Sequence, residues 1–327
     1  MKNLIKKIAV MTSGGDAPGM NAAIRSVLRT ALAHDLEVWS VHGGFEGLID
    51  GNFSEMDSFS VSNIIQRGGT IIKTSRSERF KTQEGRKAAY YQLTKSGIDG
   101  LVIIGGNGSF AGAHAFCSEF PIPVIGVPKT IDNDVYGCDY TIGFDTACNT
   151  ALEAIDKIRD TADAHNRLFF VEVMGRDAGH IALQCGLAAG AEAILIPEDK
   201  NSISDLTACL EKGWKRNKSS LIVVVAEGAV KGGVMALAAE LEDRFKHYEI
   251  RTAVLGHIQR GGNPSCFDRT LASLLGNEAV KEMMQGKTGF VVGVSNNRLM
   301  YTPFLKAATG RKKINKRFVN IIKELSS

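Results

Sequence analysis

Two short apolar runs, Leu101–Ile104 and Val124–Val127, each end in a loop crowded with small and polar residues. Four-residue apolar runs bounded by turn residues fit fully buried strands. The first loop, Gly105-Gly106-Asn107-Gly108-Ser109, has the backbone freedom to wrap a phosphate and opens a helix. The second, Pro128-Lys129-Thr130-Ile131-Asp132-Asn133-Asp134, places two carboxylates and a lysine at the end of the neighbouring strand. Ligands of open α/β sheets bind at the carboxyl ends of strands, so two such loops side by side suggest phosphate chemistry.

The rest of the chain supports the same class. Ile8–Met11 is a short strand, and Thr12 to Gly19 turns the chain into a helix bearing Met20, Ala23, Ile24, Val27, Leu28 and Ala31 on a 3.6-residue period. That turn is either a second phosphate loop or a tight βα connection without a ligand, since it is neither GxGxxG nor a Walker A sequence. Leu36–Val41 reads as a strand and Gln83–Ser96 as a helix. Arg67 to Phe80 is a polar loop with several basic residues, either solvated or a mobile arm that delivers arginine to phosphate. A helix runs from Asp145 to about Ala164, followed by strand Leu168–Val173 and the loop Met174 to Gly179. Ala193–Ile196, Leu221–Ala226 and Ile250–Leu255 read as strands, with helices at Ser202–Arg216 and Val234–Phe245. Alternation of this kind predicts an α/β fold of two lobes, each a largely parallel sheet flanked by helices. The run Arg311-Lys312-Lys313 to Lys316-Arg317 reads as a solvated helix face.

Bulk properties set limits. A chain of 327 residues can build two cores. With 39 basic and 35 acidic residues the formal charge is 39 − 35 = +4, which gives no case for a nucleic-acid partner. Cys117, Cys138, Cys148, Cys185, Cys209 and Cys266 are scattered without a CxxC pair, as in a protein with reduced cytosolic thiols. The apolar run in MKNLIKKIAV is too short for a signal-peptide core and no segment is long enough for a bilayer, so a cytoplasmic protein without a membrane partner is expected.

TSGGDAPGMNAAIR, RGGT, GGNGS, TIDND, DYTIGFDTA, VEVMGR and VLGHIQRGGNP occur in this order. Together they resemble the bacterial ATP-dependent 6-phosphofructokinase family over almost the whole chain. The resemblance implies transfer of the ATP γ-phosphoryl group to the 1-hydroxyl of fructose 6-phosphate, a glycolytic step, with Mg2+ as cofactor. It implies a nucleotide-binding lobe over residues 1–143 plus 259–309 and a sugar-phosphate lobe over 144–258 plus 310–327. By the same likeness Asp132 is the catalytic base, and Thr130, Arg176 and Arg76 polarise the phosphoryl oxygens. Asp134 helps hold Mg2+. Arg167, Arg251, His257 and Arg260 grip the 6-phosphate, with Met174, Gly175 and Glu227 around the sugar hydroxyls. Arg167 and Arg251 act across a subunit boundary in the family, which implies a homotetramer with shared sugar sites. Gly15, Phe45, Arg76, Ser77, Gly106, Asn107, Gly108 and Ser109 match the nucleotide site. Arg25, Arg29, Arg159, Arg216 and Lys218 match a basic effector site, although Asn52 and Ser219 stand where basic residues are expected.

Two residues depart from the pattern at its centre. Asn107 replaces a Mg2+-associated aspartate, and Lys129 stands where many bacterial ATP enzymes have glycine. The pair makes the site two charge units more positive. One unit charge at ~4 Å and an effective dielectric of ~20 is worth about 4 kcal/mol before screening, so the change bears on Mg2+. Three readings follow. In an active ATP-dependent enzyme Asp134 and the nucleotide phosphates hold Mg2+ while Lys129 neutralises developing charge. A pyrophosphate-dependent enzyme is favoured by Lys129 and opposed by Gly108, where pyrophosphate users carry aspartate. A catalytically weak regulatory paralogue is favoured by Asn107 and opposed by the complete sugar-phosphate set.

Overall fold

The computed structural model describes residues 5–165, 167–199, 202–215 and 220–325. The chain opens with β1 (Lys7–Thr12), whose Ile8 to Met11 are wholly buried. It continues through α1 (Met20–Leu32), β2 (Glu37–Val41), α2 (Gly44–Asp50), β3 (Phe53–Met56) and α3 (Gln83–Lys95). Next come β4 (Gly100–Gly105), α4 (Asn107–Glu119) and β5 (Val124–Pro128). Every residue of β4 and β5 is buried, the pattern of parallel strands covered by helices on both faces. The middle of the chain forms α5 (Phe144–Asp163), β6 (Arg167–Val173), α6 (His180–Ala188), β7 (Ala193–Leu195), α7 (Ser202–Lys215), β8 (Leu221–Ala226), α8 (Gly233–Glu242) and β9 (Glu249–Val254). It closes with α9 (Cys266–Met284), β10 (Phe290–Ser295), β11 (Arg298–Pro303), α10 (Phe304–Thr309) and α11 (Lys316–Leu325).

The chain divides into two compact units. The first comprises Met1–Thr130, Asp134–Asp145 and Arg260–Lys312; the second comprises Ile131–Asn133, Thr146–Gln259 and Lys313–Ser327. In the first, the strand order is β11-β10-β5-β4-β1-β2-β3. The strands from β10 through β2 pair in parallel, and β11 and β3 add antiparallel edges. Residues Val27 and Leu28 of α1 and Leu271 and Leu275 of α9 cover one face of this sheet. Leu48, Leu93, Phe110 and Phe304 from α2, α3, α4 and α10 cover the other. Each large apolar side chain fully buried in this way contributes about 1.5–3 kcal/mol. The second unit has an all-parallel sheet, β7-β8-β6-β9, over a core that includes Phe170, Leu206, Val223 and Leu237. The α/β class with parallel sheets flanked by helices is therefore the observed one. No helix among the described residues is long and apolar enough to cross a membrane.

The C-terminal basic run differs from the sequence reading. The helix expected across Arg311 to Arg317 begins only at Lys316. Lys312 is not solvated: its Nζ donates to the Asp139 carbonyl at 2.6 Å, and burial lowers its pKa. The helix expected from Ser202 to Arg216 is described to Lys215, and Arg216 lies outside the described residues.

Candidate active site

Parallel pairing aligns the carboxyl ends of β1, β4 and β5 at one edge of the first sheet. The turn Ser13-Gly14-Gly15 leaves β1, and Gly106 caps α4 directly after β4 without a side-chain cap. The first turn of α4 holds no acidic residue. Its leading N–H groups and the helix dipole therefore favour an anion there. A Cβ added to Gly108 would meet nothing within 4 Å, so this position borders open space. Ser109 is buried.

Lys129, at the end of β5, is only 2% exposed. Its Nζ donates to the Ser13 carbonyl at 3.0 Å and to the Gly15 carbonyl. Lys129, read from the sequence as neutralising charge that develops on a substrate, fastens the β1 turn to β5 through these bonds. Asn107 Nδ2 donates to Asp134 Oδ2 at 2.8 Å, while Asn107 Oδ1 is buried with no hydrogen-bond partner among the described residues. Thr130 N donates to Ile142 O, and Thr141 Oγ1 donates to Thr130 O at 2.7 Å, which fixes the start of the acidic loop. Asp132 is partly buried and sits in the Ile131–Asn133 piece that groups with the second unit; Asn133 beside it is buried with φ 52°.

The remaining nucleotide candidates of the first unit take different places. Phe45 is buried and stacks on Phe80, with centroids 3.9 Å apart. Ser77 Oγ accepts from Phe80 N at 3.0 Å and so starts the short 3-10 turn Arg79–Lys81. Arg76 is exposed on the preceding loop. Arg260, read from the sequence as a sugar-phosphate ligand, donates from Nη1 to Asp16 O at 3.2 Å. A Cβ on Gly15 would lie 2.5 Å from that Nη1, so the absence of a side chain at position 15 admits the guanidinium.

In the second unit, β6 and β9 pair so that Arg167 faces Glu249 and Phe169 faces Arg251. Arg167 Nε contacts Glu249 Oε2 at 2.9 Å, and Arg251 Nη2 pairs with Glu249 Oε1. The Arg167 hydrogen bond, more than any other influence, holds the Glu249 carboxyl below its ordinary pKa. Two guanidinium groups thus share one carboxylate. At the carboxyl end of β6, Gly175 (φ 146°) and Arg176 (φ 53°) form a left-handed turn. Glu227 Oε2 accepts from Arg176 N at 3.2 Å, and Gln259 Oε1 accepts from Met174 N at 2.9 Å. The Arg176 and His257 side chains are exposed.

A model of the phosphofructokinase family matches residues 7–283. The chain belongs to the phosphofructokinase family. It is 50% identical over 322 residues to a protein of Bacteroides thetaiotaomicron named ATP-dependent 6-phosphofructokinase 2, covering 98% of this chain and 99% of that one. It is 52% identical to ATP-dependent 6-phosphofructokinase 1 of Thermus thermophilus, over 98% of this chain and all of that one. Among solved structures, the T-state phosphofructokinase of Pichia pastoris superposes with a TM-score of 0.87 at 34% identity. This phosphofructokinase-family chain is 98% covered there and spans 37% of the Pichia chain.

Within the family frame, sequence reasoning missed Glu249 and Gln259. Glu249 is legible only once the register sets it opposite Arg167. Gln259 lay inside a motif read for its charged neighbours. The effector candidates are anchored to nearby backbone: Arg29 Nη2 donates to Ser58 O at 2.9 Å, and Arg159 Nη2 donates to Ala189 O at 2.6 Å. Arg25 is half-buried on α1. Arg216, Lys218 and Ser219 lie outside the described residues, and Asn52 is exposed.

Proposed function

We propose that this chain transfers the γ-phosphoryl group of ATP to the 1-hydroxyl of fructose 6-phosphate, giving fructose 1,6-bisphosphate in glycolysis. The observation that carries this reading is identity of about half, over essentially the full length, to proteins named ATP-dependent 6-phosphofructokinase. ATP as donor is supported by the open space at Gly108, since a nucleotide needs room there that an aspartate would fill with charge. Lys129, bonded to two backbone carbonyls, gives the pyrophosphate reading less support than its mere presence does.

The roles follow from the chemistry. Asp132 accepts the proton of the 1-hydroxyl as the new P–O bond forms. Thr130, Arg176 and Arg76 place hydrogen-bond donors on the transferring group, where charge spreads over its oxygens. Arg167, Arg251, His257 and Arg260 hold the 6-phosphate through charge-assisted bonds, and Met174, Gly175 and Glu227 line the sugar. Gly15, Gly106, Asn107, Gly108, Ser109, Ser77 and Phe45 form or support the nucleotide site. Residues 1–143 plus 259–309 serve as the nucleotide lobe and 144–258 plus 310–327 as the sugar-phosphate lobe. A homotetramer in the cytoplasm, with sugar sites shared between subunits and an effector site around Arg25, Arg29, Arg159, Arg216 and Lys218, completes the proposal.

The residues present fit Mg2+. The Asp134 carboxylate and the buried, unpartnered Asn107 Oδ1 are hard oxygen donors beside each other. When bound, Mg2+ would neutralise charge on the nucleotide phosphates.

Fructose 1,6-bisphosphate formation is assayed with ATP/Mg2+ and with pyrophosphate/Mg2+. Faster turnover with ATP, reduced about 10³-fold in Asp132→Ala, is expected from loss of a general base. Faster turnover with pyrophosphate would overturn the choice of donor. No product from either donor, with a large gain in Asn107→Asp, would leave a regulatory paralogue.

A further inference from the structure

We propose that Gln259 is a positioning residue for phosphoryl transfer, acting through the backbone of the Met174–Arg176 turn. Gln259 is wholly buried, lies on the 3-10 turn Gly256–Arg260, and accepts from Met174 N at 2.9 Å. The turn it holds carries positive φ at two successive residues, Gly175 and Arg176. A non-glycine residue such as Arg176 occupies that region only where its surroundings enforce it. Here the enforcement is two-sided: Gln259 holds the amide before the left-handed pair, and Glu227 holds the Arg176 amide. The backbone packs closely at the same place, because a Cβ on Gly228 would lie 2.2 Å from the Arg176 carbonyl oxygen. Glu227, exposed, is free to exchange its bond with solvent or sugar, whereas the buried Gln259 bond is sheltered from water.

Gln259 also sits two residues from His257 on the same short turn. Engagement of a sugar phosphate at His257 therefore stiffens the turn that fixes Met174, and with it the direction in which Arg176 leaves the backbone. Gln259 touches no reacting atom in this scheme. Its other polar atom, Nε2, is buried with no partner among the described residues, so exchanging it for oxygen costs the protein none of the bonds described here. That separates the acceptor role, which Glu preserves, from the presence of an amide.

This inference rests on the phosphofructokinase reading, and turnover of the unsubstituted chain reports on that reading alone. Gln259→Met removes the acceptor at similar volume. Displacement of a reacting group by about 1 Å costs roughly 10²-fold in rate, so kcat in Gln259→Met should fall about 30- to 100-fold. KM for ATP should stay within about threefold, because the effect lies in the transition state. In an Arg176→Ala background the same substitution should cost less than about threefold, and Gln259→Glu should restore kcat to within about fivefold of the parent. Amide exchange at Met174, read without any turnover, should be fast in Gln259→Met and slow in the parent and in Gln259→Glu. An equal kcat loss in both Arg176 backgrounds, or Gln259→Glu as impaired as Gln259→Met, would overturn the proposal. So would unchanged exchange at Met174. If Gln259→Met fails to fold, kcat and Met174 exchange of folded Gln259→Glu decide alone at mildly acidic pH, where burial holds the acid in its neutral form with a carbonyl acceptor, and loss of either then contradicts the acceptor role.

Discussion

In the first unit the ammonium of Lys129 is buried and bonded to the carbonyls of Ser13 and Gly15, whereas in the second the guanidinium groups of Arg167 and Arg251 converge on the partly exposed carboxylate of Glu249. Both arrangements put positive charge near a proposed phosphate site. They differ in what the charge holds before substrate arrives. Lys129 is a fastener of the fold: its bonds shape the turn between β1 and α1. The arginines hold the Glu249 side chain, with Arg167 Nη1 also donating to Thr161 Oγ1 at 3.5 Å, and partly exposed ion pairs of this kind contribute little to stability. A phosphate can therefore take the place of Glu249 at small cost. The proposed nucleotide side is a preformed backbone shape, and the proposed sugar side is an exchangeable set of charges.

That contrast says where each substitution should register. Arg251→Ala removes charge-assisted bonds worth about 1.5–3 kcal/mol, so KM for fructose 6-phosphate should rise roughly 10- to 100-fold while the melting temperature stays put. A drop in melting temperature would mean that the sugar-side charges are structural after all. Gly108→Asp inserts a carboxylate into open space. Its repulsion of the nucleotide phosphates should raise KM for ATP about tenfold, with a calorimetric melting shift under about 1 °C. Lys129→Met deprives two carbonyls of their donor, a cost of about 1–3 kcal/mol. In a unit of this size that lowers the melting temperature by about 5 °C, and KM for fructose 6-phosphate should move less than about twofold. The smallest effect is expected from Glu249→Gln. The Glu249 carboxyl, held below its ordinary pKa chiefly by the hydrogen bond from Arg167, is ionised at neutral pH and would compete with a phosphate bound at the proposed sugar site. Its removal should tighten fructose 6-phosphate binding by about twofold to fivefold, measured by titration, since solvent-exposed ion pairs are weak. Weaker binding would show that Glu249 orients the arginines rather than competing for them.

The strands were readable because β4, β5 and β8 are buried throughout and therefore apolar throughout. The hairpin of β10 and β11 was not read. Its turn signal is present, since Asn296 and Asn297 both take positive φ as a tight hairpin requires. The strand that follows, however, is largely exposed and carries no clear alternation. At the site, residue types named the chemistry but not the destinations of side chains. The sequence places a lysine at 129; that it reaches carbonyls 114 and 116 positions earlier depends on β5, β4 and β1 lying side by side. Likewise Phe45 shares a loop region with phosphate-site candidates yet turns into the core against Phe80. The uncharged Gln259 drew no notice between His257 and Arg260.

The discontinuity of the first unit bears on how the chain is made. α9 packs along α1 and supplies Leu271, Leu275 and Ala279 to the core beside Val27 and Leu28, and β10 pairs with β5. Those covering elements are synthesised only after the whole segment from Thr146 to Gln259. While the ribosome completes that segment, an apolar helix face and a strand edge of the first unit wait uncovered. A nascent chain stalled just past Gln259 would therefore carry a finished second sheet on an unfinished first one, the state in which aggregation and chaperone capture compete with folding.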